Sequence, residues 1–248
     1  MLNRIEAKLI KFFQSFFYFW TTCTGFLIFS LFLRLRVEGK EDIPRKGRFI
    51  LAANHQNFFD GFFLSFALGP FRKISFVIAK RALKSKFRQI WAKSIGSVLI
   101  GNDVEEYQRA LKKLNNTLTH GGPVGIFPEG DVSKQRLPRK FKGGVAKLSL
   151  DSKTKVVPIY LSGTYNLRYL KYWLKRPEVI IRVGKPIELY NYEKLYGNSL
   201  EEMANVLREK IVELSGSNEY IMLETLKPAD RAPLVSNYAT PTREQAVL

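Results

Sequence analysis

Six short apolar runs, at residues 49–53, 74–79, 97–100, 124–127, 156–161 and 179–183, constrain the fold more than any other feature of the chain. They read as strands, and amphipathic stretches at 60–68, 84–95, 104–120 and 144–150 read as helices between them. A last helix is expected over 199–214. There Leu200, Met203, Val206, Leu207, Ile211 and Leu214 recur at helical spacing, and Ser199 stands as a cap three residues before Glu202. Strands that alternate with helices in this way predict an α/β fold, a mixed and largely parallel β-sheet flanked by helices. At 248 residues and 46% hydrophobic, the chain can bury a full core. Three regions are expected: a membrane-associated element at 1–36, one catalytic domain at 37–225 and a tail at 226–248.

The amino-terminal region has a different character. Residues 12–33 form a run of 22 without a charge, dense in Phe, Trp and Tyr. That is long enough to cross a bilayer as one helix. Thr21, Thr22, Thr24 and Gly25 interrupt it, however, and Arg4, Lys8 and Lys11 fall on one helical stripe while Ile5, Leu9, Phe12 and Phe16 fall on another. The reading favoured is a two-helix element immersed from one side, with a single spanning helix as the alternative. The basic exit Arg34-Leu35-Arg36 suits an anionic, cytoplasmic leaflet.

Charge points the same way. The net charge is +18, more than solubility requires, and implies a polyanionic partner. Residues 71–102 hold eight basic side chains and no acidic one, whereas residues 217–248 hold three basic and four acidic groups. The charge therefore belongs to the folded body. An anionic membrane surface, an acidic carrier protein and a phosphorylated ligand are all compatible. Nucleic acid is not favoured, because the densest aromatics lie in the amino-terminal run and no nucleic-acid motif accompanies the basic residues. One cysteine, Cys23, excludes an intramolecular disulfide, and two histidines 65 positions apart leave no metal-ligand spacing. No metal or bound cofactor is expected.

One of those histidines carries the chemistry. Asn54-His55-Gln56-Asn57-Phe58-Phe59-Asp60 follows the first strand of the catalytic domain. On one helix, side chains five apart diverge by about 140°. His55 and Asp60 can meet only if the chain turns between them, with Asp60 opening the next helix. A histidine so oriented can take the proton of an attacking hydroxyl. A second segment, Phe127-Pro128-Glu129-Gly130, ends another strand with a carboxylate and a glycine. Glu129 could accept hydrogen bonds from substrate hydroxyls or hold the loop. His120 precedes Gly121-Gly122-Pro123 and reads as a helix-ending residue.

Together these pieces resemble the glycerolipid acyltransferase family, which includes 1-acylglycerol-3-phosphate and glycerol-3-phosphate acyltransferases. The resemblance runs from about residue 35 to about residue 190. It rests on His55 through Asp60, on Phe127-Pro128-Glu129-Gly130 and on Val157-Pro158-Ile159-Tyr160-Leu161, with Lys80 and the turn Phe141-Lys142-Gly143-Gly144 as lesser marks. It implies a glycerol-phosphate acyltransferase-like fold and a membrane-associated enzyme. In that enzyme His55, oriented by Asp60, is the base that lets a lysophospholipid hydroxyl attack an acyl-ACP or acyl-CoA thioester directly. Glycerol 3-phosphate or another lysolipid is the alternative acceptor, and a non-catalytic basic protein the alternative class. No protein nucleophile is needed, and no Gly-x-Ser-x-Gly elbow is present. Two departures stand out. Asp131-Val132-Ser133 replaces the family's usual Thr-Arg-Ser, and Gly101-Asn102 replaces Asp-Arg. Binding of the substrate phosphate is therefore expected from Lys80, Arg81, Arg136, Arg139 and Lys142, with Glu129 and Gly130 beside them.

Overall fold

A computed structural model describes residues 2–83, 85–101, 103–133, 137–193 and 199–216. Its centre is a seven-stranded sheet. The strands are β1 (Arg34–Glu38), β2 (Ile50–Ala53), β3 (Ser75–Ala79), β4 (Val98–Ile100), β5 (Val124–Ile126), β6 (Val156–Ser162) and β7 (Glu178–Val183). They lie in the order β1-β7-β6-β2-β5-β3-β4. Every neighbouring pair is parallel except β6 and β7, so β1 and β7 together run against the other five. The helices are α1 (Leu2–Phe32), α2 (Asp60–Leu68), α3 (Lys86–Ser94), α4 (Val104–Thr119), α5 (Gly144–Ser152), the single turn α6 (Leu170–Trp173) and α7 (Leu200–Glu213). The expected mixed, largely parallel α/β architecture is thus the observed one.

Alternation along the central strands divides the core into two layers. On β2, Leu51 and Ala53 face a cluster that contains Phe63, Leu64 and Ala67 of α2, while Ile50 and Ala52 face a cluster formed by α4, α5 and α7. On β6, Val157, Ile159 and Leu161 join the first cluster, and Val156 and Tyr160 join the second. Central parallel strands covered on both faces need apolar residues in both phases, which is why these strands read as unbroken apolar runs. α4 begins at Asp103, whose carboxylate accepts the Glu106 amide at 2.6 Å. α7 begins at Ser199, whose hydroxyl accepts the Glu202 amide at 3.4 Å.

The strand missing from the sequence reading is β1. Arg34, Leu35, Arg36, Val37 and Glu38 alternate charge with aliphatic side chains and pair in parallel with β7, Leu35 opposite Val179 and Val37 opposite Ile181. As an edge strand it buries one face only, against the α1–α2 layer. Read from the sequence, its charges look like the flank of a membrane segment.

The expected two-helix amino-terminal element is corrected to a single continuous helix, α1, of 31 residues. The threonines do not break it. The Thr21 hydroxyl donates back to the Phe17 carbonyl at 2.7 Å, so its polarity is satisfied within the helix. Gly25 stays helical and leaves room for the Phe62 ring of α2, which would stand 3.2 Å from an added Cβ. The side chains of Arg4, Lys8 and Lys11, read as a basic stripe, lie outside the described residues.

α1 lies along the body. Tyr18, Thr22, Phe29 and Leu33 are buried on one stripe, while Phe12, Phe16, Trp20, Leu27 and Leu31 are exposed on the other side. Phe26 stacks on Phe66 with ring centroids 4.8 Å apart, and the Tyr18 hydroxyl donates to the Arg72 carbonyl at 3.2 Å. Phe29 touches the rings of Phe59, Phe62, Phe63 and Trp173. α1 is therefore a layer of the fold. Phe29→Ala is expected to destabilise the protein by about 3–4 kcal/mol, as for truncation of a buried phenylalanine. Urea unfolding in detergent checks it.

Candidate active site

β2 and β5 are neighbours, so the loops that leave their carboxyl ends lie side by side, where open α/β sheets place ligands. The first loop carries His55 and enters α2 at Asp60. Asn54 ties its start to β6, donating to the Leu161 carbonyl at 3.0 Å and accepting the Leu161 amide at 2.7 Å. Asn57 ties its middle, donating to the Thr164 carbonyl at 3.1 Å and accepting the Phe59 amide at 3.1 Å.

The turn wraps around the Asp60 carboxylate, which is fully buried. Its Oδ2 accepts the Gln56 amide at 2.6 Å, the Asn57 amide at 2.8 Å and His55 Nδ1 at 2.9 Å. A carboxylate offers only lone pairs here, so Nδ1 is the donor, and in the neutral ring Nε2 presents a lone pair. Among the described residues, Nε2 has no hydrogen-bond partner. The ring lies on Phe127 with centroids 4.1 Å apart and planes 16° from parallel. Phe127 in turn lies parallel to Phe76. His55 is thus held at one edge by Asp60 and at one face by Phe127.

The second loop is fastened to the first. Glu129 Oε1 accepts the His55 amide at 2.8 Å, and the Ser133 amide donates to the His55 carbonyl at 2.6 Å. Glu129 Oε2 accepts the Arg139 amide at 3.2 Å and Arg139 Nε at 3.3 Å. Of the two roles open to Glu129 in the sequence, holding the loop is the one this geometry displays. Burial pushes its carboxyl up, while the amides of His55 and Arg139 and then the Arg139 guanidinium pull it back. Arg208 of α7 reaches the same place, donating from Nε to the carbonyls of Pro138 and Arg139 at 2.9 and 3.1 Å. Nothing in the sequence marks Arg208, because its relation to Glu129 exists only once α7 packs against α5.

The expected anion-binding residues separate into groups. The Arg81 guanidinium pairs with Asp131 at 3.1 Å, and both line the cavity beside His55. Lys142 is exposed, lines the same cavity and lies across the Gly130 turn, its Nζ 2.8 Å from where a Cβ on that glycine would stand. Gly130 has φ +75°, a conformation that favours glycine in the turn. Arg139 spends its Nε on Glu129 and its Nη2 on the Asp131 carbonyl, at 2.8 Å. Lys80 points elsewhere, in an ion pair with Glu106 in a separate cleft. Arg136 lies outside the described residues. His120 ends α4, its Nδ1 donating to the Asn116 carbonyl at 2.7 Å.

The cavity that His55 faces has a volume of about 710 Å³ and a largely apolar wall. Phe58 and Phe62 of the α2 region, Ile78, Leu111 and Leu114, and Tyr18 of α1 contribute to it. An oriented imidazole in the wall of a largely apolar cavity can remove a proton from a hydroxyl carried by an amphiphile.

The strand-end histidine and the helix-opening aspartate of this one loop fall inside the span that matches a family of acyltransferases. The chain belongs to the Acyltransferase family, whose model matches residues 34–162. It is similar to the 1-acyl-sn-glycerol-3-phosphate acyltransferase of Saccharomyces cerevisiae, with 27% identity over 84% of this chain and 65% of that protein. To the enzyme of the same name from Borreliella burgdorferi it is 26% identical, over 79% of this chain and 74% of the relative. The fold matches the crystal structure of the 1-acyl-sn-glycerophosphate (LPA) acyltransferase PlsC of Thermotoga maritima, with a TM-score of 0.58 and 23% identity over 88% of this chain and 84% of that one.

Glu129 generates a prediction about loop stability. Glu129→Ala leaves the His55 amide and Arg139 without their acceptor and is expected to cost about 2–3 kcal/mol. Because burial raises its folded-state value, Glu129 binds its proton more tightly in the folded chain than in the unfolded one. Its contribution to stability is greatest below the ordinary carboxylate range and declines as pH rises through the raised value. Urea titrations across pH should show that decline in the wild type and not in Glu129→Gln.

Proposed function

We propose that this chain transfers a fatty acyl group from a thioester donor, acyl-ACP or acyl-CoA, to the free hydroxyl of 1-acyl-sn-glycerol-3-phosphate, giving phosphatidic acid. The observation that carries the reading is the His55 ring, fixed through Nδ1 by Asp60, lining an apolar cavity, with no hydrogen-bond partner on Nε2 among the described residues. Nε2 takes the proton of the acceptor hydroxyl as its oxygen attacks the thioester carbonyl. The tetrahedral intermediate then collapses, the carbon–sulfur bond breaks, and the imidazolium returns the proton to the leaving thiolate. Asp60 steadies the imidazolium in between. The names of the yeast and spirochaete relatives support lysophosphatidic acid as acceptor.

The remaining residues take roles that follow from their places. The apolar cavity takes an acyl chain, with Phe58, Phe62 and Leu114 among its wall. Lys142, with no acidic partner among the described residues, is the cation best placed for the acceptor phosphate, and Arg81 joins it when Asp131 yields. Glu129 and Gly130 form the turn over which that phosphate lies, and Glu129 acts on the backbone of His55.

α1 anchors the enzyme to the anionic, cytoplasmic surface of a membrane. Residues Phe12–Phe32 are apolar enough to cross a bilayer, yet one stripe of α1 is committed to the protein core. An outward face of Phe12, Phe16, Trp20, Leu27 and Leu31 suits a helix lying in the lipid interface.

His55→Ala is expected to reduce transfer by about 1,000-fold or more, and Asp60→Asn by about 100-fold or more, with folding retained. An acyl-transfer assay of both donors against a panel of lysolipids measures it; near-normal turnover by purified His55→Ala protein would sink the mechanism. Replacing Phe12, Phe16 and Trp20 together by Ser should lower co-sedimentation with phosphatidylglycerol vesicles by about tenfold or more. Unchanged sedimentation would move the membrane contact to another surface.

A further inference from the structure

A second cavity, of about 690 Å³, opens between α1, the α3–β4 junction and the polar face of α4. It belongs to neither the His55 loop nor the apolar cavity. Lys73, Lys80, Lys93, Arg109 and Lys113 line it, against one carboxylate, Glu106. That carboxylate is engaged by Lys80, and Arg109 pairs with Glu105 at 3.4 Å. Lys73, Lys93 and Lys113 have no acidic partner among the described residues.

Lys73 is the telling member. Its ammonium is half-buried, it donates to the neutral Gln14 amide oxygen at 3.2 Å, and burial lowers its pKa. A cation withdrawn from water without a counter-charge costs free energy that a bound anion would return. Gly96, at φ +84°, lies directly beneath the end of the lysine side chain. Next to it, Ser97 is more than nine-tenths buried, and its hydroxyl has no hydrogen-bond partner among the described residues. On α4, Arg109 and Lys113 are four apart and so share a face, with Leu111, Leu114 and Leu118 turned to the core.

Ser97 also lines the apolar cavity that His55 faces, so the basic cleft and the reaction chamber share a wall. A ligand with a thioester in one and an anion in the other would be a long, flexible thiol ester ending in phosphate. We propose that this cleft binds the phosphate of the phosphopantetheine arm of the acyl donor, a group common to coenzyme A and acyl carrier protein, with Lys73, Lys113 and the Ser97 hydroxyl as its ligands. The proposal rests on the thioester-dependent transfer proposed above and assigns its donor side a site separate from Lys142, Arg81 and the acceptor phosphate.

The test uses two probes that differ only in the phosphate. Full-length protein is titrated calorimetrically with 4′-phosphopantetheine and with pantetheine; wild type should bind the phosphorylated form at least tenfold more tightly, and Lys73→Gln and the exposed Lys113→Gln should each erase most of that preference. In transfer assays the same substitutions should raise KM for acyl-CoA several-fold, leave KM for acyl-pantetheine and for the acceptor unchanged, and leave kcat unchanged. Lys113→Gln keeps the test sound if Lys73→Gln misfolds. Undiminished preference for the phosphorylated probe in folded variants overturns the proposal. So does loss of binding to phosphatidylglycerol vesicles with that preference intact, which would assign the cleft to lipid headgroups. Failure of transfer with every donor would instead strike the proposed reaction, because the calorimetric arm reads the cleft without turnover.

Discussion

Three donors converge on a single buried oxygen, Asp60 Oδ2, and the organisation of the site follows from that convergence. A carboxylate withdrawn from water demands compensation from the protein. Here the compensation is two backbone amides and one imidazole nitrogen, all supplied by the residues immediately before it. The chain must therefore curl around Asp60, and in doing so it sets both the tautomer and the direction of His55. Glu129 repeats the device one loop away, using its two oxygens to hold the His55 amide and Arg139. The two loops become one rigid unit because two buried carboxylates each need several donors, and backbone is the nearest source.

The layer formed by α1 answers to a different constraint. A soluble helix packs its apolar stripe inward and shows a polar face to water. α1 packs Tyr18, Thr22, Phe29 and Leu33 inward and shows a second set of aromatic and aliphatic side chains outward. Two apolar faces on one helix are what the proposed interfacial placement requires. Because α1 also closes one side of the cavity that His55 faces, through Tyr18, Thr21 and Thr22, the proposed anchoring and substrate enclosure would be joined in a single element. A lipid acceptor reaching the chamber from the bilayer would pass along this helix.

The family relationship gives the class of protein, and the departures from the usual motifs bear on how this chain distributes charge. Where an arginine is customary, Val132 stands beside Asp131, and Asp131 engages Arg81. Among the described residues that line the two cavities, Lys142 beside His55 and Lys73, Lys93 and Lys113 in the cleft behind β4 have no acidic partner. A net charge of +18 is thus partly concentrated along two separate cavities that share Ser97 in their walls. Both sides of the proposed reaction between two anionic amphiphiles would need such basic surfaces.

The six strands β2 to β7 and five of the helices were legible in the sequence because their signals are local: uninterrupted apolar runs for the strands, helical spacing, and a cap at Ser199. So was the candidate pair, since a separation of five residues permits only a turn between His55 and Asp60. β1 was not legible, because an edge strand with three charges in five residues differs little from a membrane flank until β7 lies beside it. Nor was the continuity of α1, because a threonine that bonds its own helix and a glycine that seats Phe62 look like breaks without α2 against them. The sequence by itself determined which groups could carry acid–base chemistry and on which kind of scaffold. Only the tertiary structure decided that Glu129 serves the loop, that Arg208 reinforces it from the far end of the chain, and that Lys80 belongs to a different cleft. Those decisions depend on which distant segments desolvate a charge and which donors then lie within reach, and packing alone sets both.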